Sequence, residues 1–178
     1  PAAVLDIRIA NEEGHALPAG GQGEIQIRGT SMFRGYWNNP EATAAAHIDG
    51  WFKTGDLGYL DEEGYLFIVD RIKDMVIRGG ENIGCGEVEA ALLEHPQIRE
   101  ASVYSMPDER LGEEVAATIF CDSEINEMEL RDFLGPRLAK FKIPRYIRQS
   151  KDRLPRIASG KIFKLQIRQD AKSAILKE

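Results

Sequence analysis

Apolar and polar residues alternate in the first part of the chain, and this alternation predicts half-buried β-strands. Two segments have the pattern, 4–9 and 24–28, and residues 65–69 form an apolar run that also predicts a strand. One short helix is expected between them over residues 42–47, because an asparagine cap and Pro40 precede it. The region from residue 1 to about residue 71 is therefore predicted to be β-rich and antiparallel.

After residue 71, strand-like and helical patterns alternate. Strands are predicted at residues 98–106, at 114–121 and from Tyr146, and helices at residues 87–94, from Asn126, and from Ile162 to about residue 176. Asn126 and Glu129 form a capping box at the start of the middle helix, which Pro136 is expected to kink or shorten. Interleaved strands and helices predict a compact α+β domain with a central sheet flanked by helices.

The stretch over residues 70–89 joins these two regions. Its alternating charges lead into the apolar run at residues 75–77, which is followed by the paired glycines Gly79 and Gly80. Glycines after a strand allow a ligand to approach the backbone closely, because no Cβ is present. The alternative is a strand–turn–helix connection whose charges are solvated.

The composition is that of a globular protein. Apolar residues make up 43% of the sequence and charged residues 29%, and no apolar run approaches the roughly 18 residues of a membrane span. The first residues lack the pattern of a signal peptide, and the sequence starts without methionine, so we expect a piece of a longer protein. Cys85 and Cys121 are expected to be free thiols, and the three histidines lack metal-ligand spacing, so no metal site is predicted.

The net charge of −6 is unevenly distributed. Residues 1–70 carry −7 and residues 71–136 carry −9, whereas residues 137–178 carry +10. A basic C-terminal segment suits an anionic ligand such as a nucleotide or a coenzyme phosphate. The alternatives are a solvated basic face and a nucleic-acid site. A nucleic-acid site is disfavoured, since the segment has few aromatic residues for stacking and the whole chain is acidic.

Two charged side chains lie in stretches that are suited to chemistry. Asp56 lies between glycines in the segment 51–58, where a short carboxylate can accept two hydrogen bonds from a vicinal diol such as ribose; the alternative is that Asp56 forms a turn. Lys161 lies on a loop of small residues within 154–164, just before a helix, and its mobile charge suits the oxygens of a carboxylate and a phosphate. The loop resembles part of a phosphate-binding P-loop but lacks the first glycine of that motif.

Four stretches, taken together, resemble the acyl-adenylate-forming enzymes in order and spacing. They are residues 23–25 with 35–37, 51–58, 70–89 and 154–164, and the resemblance covers essentially the whole chain. The sequence Lys-Asp-Met-Val-Ile-Arg-Gly-Gly-Glu-Asn-Ile is most similar to that of a fatty-acyl or related acid–CoA ligase. The fold implied is α+β: the end of a β-rich, distorted-barrel N-terminal subdomain over residues 1–71, then a small α+β C-terminal domain over residues 72–178.

The resemblance implies a two-step reaction. A carboxylate and ATP give acyl-AMP and pyrophosphate, and the thiol of CoA then displaces AMP. At the positions that match the family's motifs, Asp56 holds the ribose hydroxyls, Arg71 also contacts the ribose, and Lys161 orients the acid and the α-phosphate. Lys161 is also expected to be the target of a lysine acetyltransferase, as its counterpart is in relatives, and loss of its charge would stop the first step.

The resemblance also implies a moving domain. Lys73 matches the hinge about which the C-terminal domain swings between the half-reactions, and Gly79 and Gly80 match the segment that faces the pantetheine path of CoA. Mg²⁺ is expected to be bound mainly through ATP and through the missing N-terminal domain. Because that domain would hold half of the ATP site and the whole acyl pocket, the 178-residue chain alone is predicted to be inactive.

The expected partners are a small carboxylic acid, with a fatty acid as the first choice, together with ATP and CoA; no nucleic acid and no membrane span are expected. The use of ATP and CoA, without a targeting signal, favours a cytoplasmic location. Two alternatives stay open. One is transfer of the acyl group to a carrier protein or another acceptor, and the other is a stand-alone binding module.

Overall fold

A computed structural model describes residues 5–175 of the chain. The chain divides into two compact units, residues 1–73 and residues 74–178. The domain boundary predicted from the sequence lies two residues earlier, between residues 71 and 72. The interpretation of the two parts as pieces of two domains of a longer enzyme stays a prediction.

The first unit contains a five-stranded antiparallel sheet and one short helix. Its strands are β1 (Leu5–Ala10), β2 (Gly23–Gly29), β3 (His47–Ile48), β4 (Trp51–Leu60) and β5 (Leu66–Arg71). The order is β1-β2-β4-β3, and β5 also pairs with β4. Helix α1 (Pro40–Ala45) starts at Asn39, whose side chain accepts a hydrogen bond from the N–H of Ala42 at 2.9 Å. The predicted asparagine cap is confirmed.

The second unit contains another five-stranded sheet and three helices. Its strands are β6 (Met75–Arg78), β7 (Glu81–Gly84), β8 (Ile98–Asp108), β9 (Gly112–Cys121) and β10 (Tyr146–Ser150). Its helices are α2 (Cys85–Leu93), α3 (Glu127–Leu134) and α4 (Lys164–Ile175). Strand β9 pairs with β8 and β6 in antiparallel fashion and with β10 in parallel fashion.

Helices cover both faces of this second sheet. The larger buried cluster joins the sheet to α2 and α3 and includes Val88, Val103 and Leu130. The smaller cluster joins the opposite face to α4 and includes Tyr104 and Ile167. Because Val103 and Tyr104 are consecutive in β8, their side chains point to opposite faces. The predicted α+β architecture with a sheet flanked by helices is confirmed.

Two local expectations need correction. The charged stretch after the paired glycines is a strand, β7, which pairs with β6, and α2 follows it directly at Cys85 rather than at Glu87. The prediction missed β7 because its four residues show too little apolar alternation.

The expected shortening of the middle helix is confirmed, since α3 ends at Leu134, two residues before Pro136.

No helix within residues 5–175 is both long enough and apolar enough to cross a lipid bilayer.

Candidate functional site

Asp56 and Arg71 face each other on neighbouring strands of the first unit. Asp56 lies within β4 and Arg71 ends β5, and the two residues are partners in the antiparallel register. The Nε atom of Arg71 lies 3.1 Å from Oδ1 of Asp56. The structure therefore brings together the two residues that the family resemblance assigns to ribose. Asp56 is a strand residue and not a turn former.

Hydrogen bonds to strand β2 hold the backbone next to this carboxylate. The hydroxyl of Thr54 accepts from the N–H of Asp56 at 3.1 Å and donates to the carbonyl oxygen of Ile25 at 2.7 Å. The N–H of Gly55 donates to Oε1 of Glu24 at 3.1 Å, and its φ of +72° is readily adopted only by glycine. Thr54 and Glu24 are supporting residues that the sequence did not single out.

The ion pair between these strands is partly solvated. The side chains of Arg71 and Asp56 are 55% and 27% exposed. Exposed ion pairs of this kind contribute at most about 1 kcal/mol to stability. The pair therefore presents a carboxylate and a guanidinium at the surface of the unit, and both groups can be turned towards a ligand with hydroxyl groups at little cost in folding free energy.

Lys73 is exposed in a short 3₁₀ turn, Ile72–Asp74. The two compact units divide directly after this residue. A 3₁₀ segment between regular elements is a common place for a hinge. The role of Lys73 as the pivot stays a prediction.

Gly79 and Gly80 form the two-residue turn between β6 and β7, which we call the glycine hairpin (residues 78–81). Their φ values of +57° and +90° match a type I′ turn, which needs positive φ at both positions. The N–H of Gly79 donates to the carbonyl oxygen of Leu111 at 2.9 Å. The glycines are thus required by the backbone of a tight hairpin, and an open surface lies beside Gly80, where an added Cβ would meet no atom within 4 Å.

Buried Glu114 fixes the side chain that enters the glycine hairpin. Both carboxylate oxygens of Glu114 accept from the guanidinium of Arg78, one through Nε and the other from Nη2 at 3.2 Å. The hydrogen bond to Glu114 raises the pKa of Arg78, against the opposing effect of burial. The hairpin is therefore held from both the backbone and the side chain.

Lys161 is exposed at the end of a tight turn that we call the Lys161 turn (residues 156–162). Arg156 and Ile162 form an isolated antiparallel bridge across it. The N–H of Ile157 donates to the carbonyl oxygen of Lys161 at 2.9 Å, and the N–H of Gly160 donates to that of Ile157 at 2.8 Å. The expectation of a loop directly before a helix is confirmed, since α4 starts at Lys164.

A buried carboxylate lies at the base of the Lys161 turn. Oε2 of Glu100 accepts from the N–H of Leu154 at 2.8 Å, and Oε1 accepts from Nη2 of Arg156 at 2.9 Å. Burial acts to raise the pKa of Glu100, but the hydrogen bonds from Arg156 and Leu154 outweigh it and lower the pKa below its usual value. Glu100 is therefore ionised and paired at neutral pH.

A second ion pair follows the turn. Nζ of Lys164, the first residue of α4, lies 2.8 Å from Oε1 of Glu89 on α2. The same oxygen accepts from the N–H of Val103 at 2.8 Å. Burial acts to lower the pKa of Lys164, but the hydrogen bond and the charge of Glu89 outweigh it and raise the pKa. The Lys161 turn is thus attached to the sheet at its start and to α2 just after its end.

The anchors of the two turns lie at opposite ends of the β8–β9 pair. Glu114 faces Met106 in the register, six residues along β8 from Glu100, a strand length of about 20 Å. The sequence did not identify either glutamate. The available signal was a carboxylate in a strand with many apolar residues, because buried acidic residues are almost always paired.

Residues 87–161 match the family model described as the AMP-binding enzyme C-terminal domain. The match spans α2, the β8–β9 pair, α3 and β10, and it ends at Lys161. These residues are similar to the members of that domain family. The matched region of this domain includes both Glu100 and Glu114.

Known proteins match beyond this domain. A long-chain-fatty-acid–CoA ligase, FadD13 of Mycobacterium tuberculosis, is 38% identical over 173 residues, which are 97% of this chain and 34% of the ligase. A feruloyl-CoA synthase of Amycolatopsis sp is 42% identical over 94% of this chain and 34% of the synthase. Thus the chain spans about a third of the length of the relatives that it matches.

A solved structure shows the same architecture. It is o-succinylbenzoate CoA synthetase (MenE) from Bacillus subtilis, in complex with the acyl-adenylate intermediate OSB-AMP. The TM-score is 0.86 at 40% identity, over 94% of this chain and 34% of that one. The predicted resemblance to the acyl-adenylate-forming enzymes is confirmed.

Proposed function

We propose that the chain is the C-terminal part of an ATP-dependent acid–CoA ligase. The longer protein converts a carboxylate and ATP to acyl-AMP and pyrophosphate, and then CoA and acyl-AMP to acyl-CoA and AMP. The observation that carries this proposal is the match to the AMP-binding enzyme C-terminal domain, which extends to the exposed Lys161, in a chain whose relatives are named as a CoA ligase and a CoA synthase. The 178-residue chain by itself is inactive on this proposal, since it spans about a third of those relatives.

In the first half-reaction, Asp56 accepts hydrogen bonds from the ribose hydroxyls of the nucleotide and Arg71 contacts the same ribose. Support comes from their pairing across β4 and β5, with a 3.1 Å contact and partial exposure. A carboxylate is a strong acceptor for two neighbouring hydroxyl groups. The guanidinium beside it provides further hydrogen-bond donors.

Lys161 orients the acid and the α-phosphate. Adenylation joins two anions, so a cation that bridges both reduces their repulsion and stabilises the charge that builds up at phosphorus. The exposed position of Lys161 on a tight turn supports this role, because the long side chain extends from a fixed backbone. The same exposure is compatible with the predicted acetylation of Lys161, which stays a prediction.

The second half-reaction needs an open path for CoA instead of the lysine. We propose that the C-terminal domain turns about Lys73, so that the glycine hairpin replaces the Lys161 turn at the nucleotide. The division of the two units after Lys73 supports a pivot there. Two incompatible demands on one site are commonly met by a hinge of one or two residues.

For the carboxylic acid that is activated, we propose a fatty acid. A fatty acid fits the relationship to FadD13, whereas the feruloyl-CoA synthase acts on another acid class by its name. Transfer to a carrier protein or another acceptor is the alternative for the second step. Formation of a thioester with CoA alone by the longer protein decides between these acceptors.

Mg²⁺ is proposed to enter with ATP. Within residues 5–175 no group of three or more histidine, cysteine, aspartate or glutamate side chains forms a metal site, so no step is assigned to a metal held by this chain. A cytoplasmic location stays a prediction.

Half-reaction assays on the full-length gene product test the proposal. Adenylation is followed by acid-dependent ATP–pyrophosphate exchange over short, medium, long and aromatic acids, and thioester formation by capture of synthetic acyl-AMP with CoA. The Lys161→Ala variant should nearly abolish the exchange and spare the capture, because the capture step needs no cation at the phosphate. The Lys73→Pro variant should spare the exchange and abolish the capture, because proline fixes a backbone torsion at the pivot.

The 178-residue chain is the matched control and should be inactive in both assays. Equal loss of both half-reactions in Lys161→Ala would make Lys161 a structural residue, and capture that survives in Lys73→Pro would remove Lys73 as the pivot. A full-length protein inactive in both assays would favour a binding module.

A further inference from the structure

The side chain of Arg156 connects the buried carboxylate of Glu100 to the backbone next to Lys161. Its Nη2 atom donates to Glu100 at 2.9 Å, and its Nη1 atom donates to the carbonyl oxygen of Gly160 at 2.7 Å. Gly160 directly precedes Lys161. A planar guanidinium fixes both acceptors at once, because its donors have a rigid fork geometry.

The carboxylate at the other end of this connection is itself fixed. Glu100 is only 8% exposed, lies on β8, which pairs with β9, and also accepts from the N–H of buried Leu154. A register irregularity between Ile98 and Glu100 places an extra residue in β8 next to it, and such bulges redirect the neighbouring side chains. The support for the turn thus reaches a buried side chain of the sheet.

We propose that Glu100 and Arg156 are positioning residues for Lys161 in the adenylation half-reaction, which rests on the function proposed above. Both residues act through the backbone. The carboxylate of Glu100 fixes the position of the Arg156 guanidinium, and the guanidinium fixes the carbonyl group of Gly160 and with it the direction in which the Lys161 side chain extends. Neither residue touches the substrate. Without these hydrogen bonds, Lys161 keeps its charge but its side chain occupies many positions. The loss of entropy when it is fixed in the transition state then raises the activation barrier.

This arrangement predicts an effect on one half-reaction only. The Lys161 turn is required for adenylation, whereas thioester formation uses the other end of the β8–β9 pair. Loss of the connection should therefore lower the ratio of the adenylation rate to the thioester rate. A general loss of folding would lower both rates together.

The test uses the full-length protein with two variants and one matched control. Glu100→Gln removes the charge and keeps the shape, and Arg156→Lys keeps the charge but cannot bond to Glu100 and Gly160 in the same fork. Glu114→Gln is the control, since Glu114 is equally buried and also pairs with an arginine, Arg78, but has no contact with the Lys161 turn. Arg156 is 43% exposed, so its variant tests the proposal even where Glu100→Gln fails to fold.

We expect both variants to lower the ratio of the two rates about tenfold to a hundredfold, the range for loss of a charged hydrogen bond, and the control not to lower it. In hydrogen–deuterium exchange, peptides that cover residues 156–162 should exchange faster in both variants and at the wild-type rate in the control. An unchanged ratio in Arg156→Lys, with or without a loss of both half-reactions, would overturn the proposal. A wild-type protein without either half-reaction would instead overturn the proposed function, and the exchange data would then report on the anchor alone.

Discussion

At the scale of single residues, the second unit has two acidic side chains buried in its sheet. Glu100 and Glu114 are 8% and 2% exposed, and each pairs with an arginine. An unpaired buried carboxylate costs several kcal/mol, so such residues persist where their partners are fixed. Here each partner arginine belongs to a turn to which the family resemblance assigns a function.

The lowered pKa of Glu100 predicts how stability depends on pH. Because the folded-state pKa lies below the unfolded value of 4.5, the stabilisation is fully present above pH 4.5 and is lost as the pH falls through the folded-state pKa. The free energy of unfolding should therefore fall more steeply with acid in the wild type than in Glu100→Gln. Urea unfolding between pH 3 and pH 7 measures this difference.

The control for this prediction is Glu124→Gln, because Glu124 is exposed. Its free energy of unfolding should fall with acid as steeply as that of the wild type. A Glu100→Gln protein whose stability falls as steeply as the wild type's would contradict the pKa direction.

At the scale of elements, the glycine hairpin shows how a backbone requirement overlaps with a proposed function. The φ values of Gly79 and Gly80 are those of a type I′ turn, and the strands on either side pair from Arg78–Glu81 to Met75–Gly84. Paired glycines are therefore needed for the turn itself, before any role at the CoA path is considered. The sequence predicted a close backbone approach at this point but not the second strand.

Gly80→Ala should destabilise the second unit by about 1 kcal/mol, because an L-residue with a Cβ is strained at a φ of +90°. No steric contact adds to this cost, since nothing lies within 4 Å of the added Cβ. Thermal or urea unfolding of the variant measures the effect.

The matched control is Gly80→Asn, at the same position. Asparagine adopts a positive φ more readily than other residues with a Cβ. This variant should therefore lose less stability than Gly80→Ala. Equal stability changes in the two variants would contradict the turn assignment.

At the scale of the whole molecule, the two units differ in how much core they contain. Both buried clusters within residues 5–175 are formed by residues of the second unit. In the described part of the first unit, the buried hydrophobic residues are Ile9, Ala10 and Ile25, while Trp37, Tyr65 and Ile68 are 91%, 64% and 67% exposed. Burial of apolar area is the main source of folding stability, so the second unit should be more stable by itself than the first.

Residues 74–178 should fold alone, and residues 1–73 should not. Expressed separately, the first of these pieces should show one cooperative transition in thermal unfolding followed by circular dichroism. The piece of residues 1–73 should show none, and it should bind a hydrophobic dye because its apolar strands are exposed. A cooperative transition in residues 1–73 would contradict this prediction.

Local signals in the sequence were sufficient for most elements. The asparagine caps of α1 and α3, the shortening of α3 before Pro136 and the long strands β8 and β9 each depend on residues that are neighbours in the chain. The resemblance to acyl-adenylate-forming enzymes also came from short motifs, in which the spacing of residues is itself the signal. Positions such as Asp56 and Lys161 were therefore predicted without a structure, and their roles stay predictions.

The tertiary structure alone decided which side chains support these positions. Arg156 and Glu100 are separated by 56 residues, and Arg78 and Glu114 by 36. Contacts of that separation depend on strand register and on which face of a sheet a helix covers, and a single sequence carries no local pattern for either. The sequence by itself determined several strands and helices and the motifs for which a function is predicted, whereas only the fold decided that buried carboxylates hold the two turns with Gly79, Gly80 and Lys161.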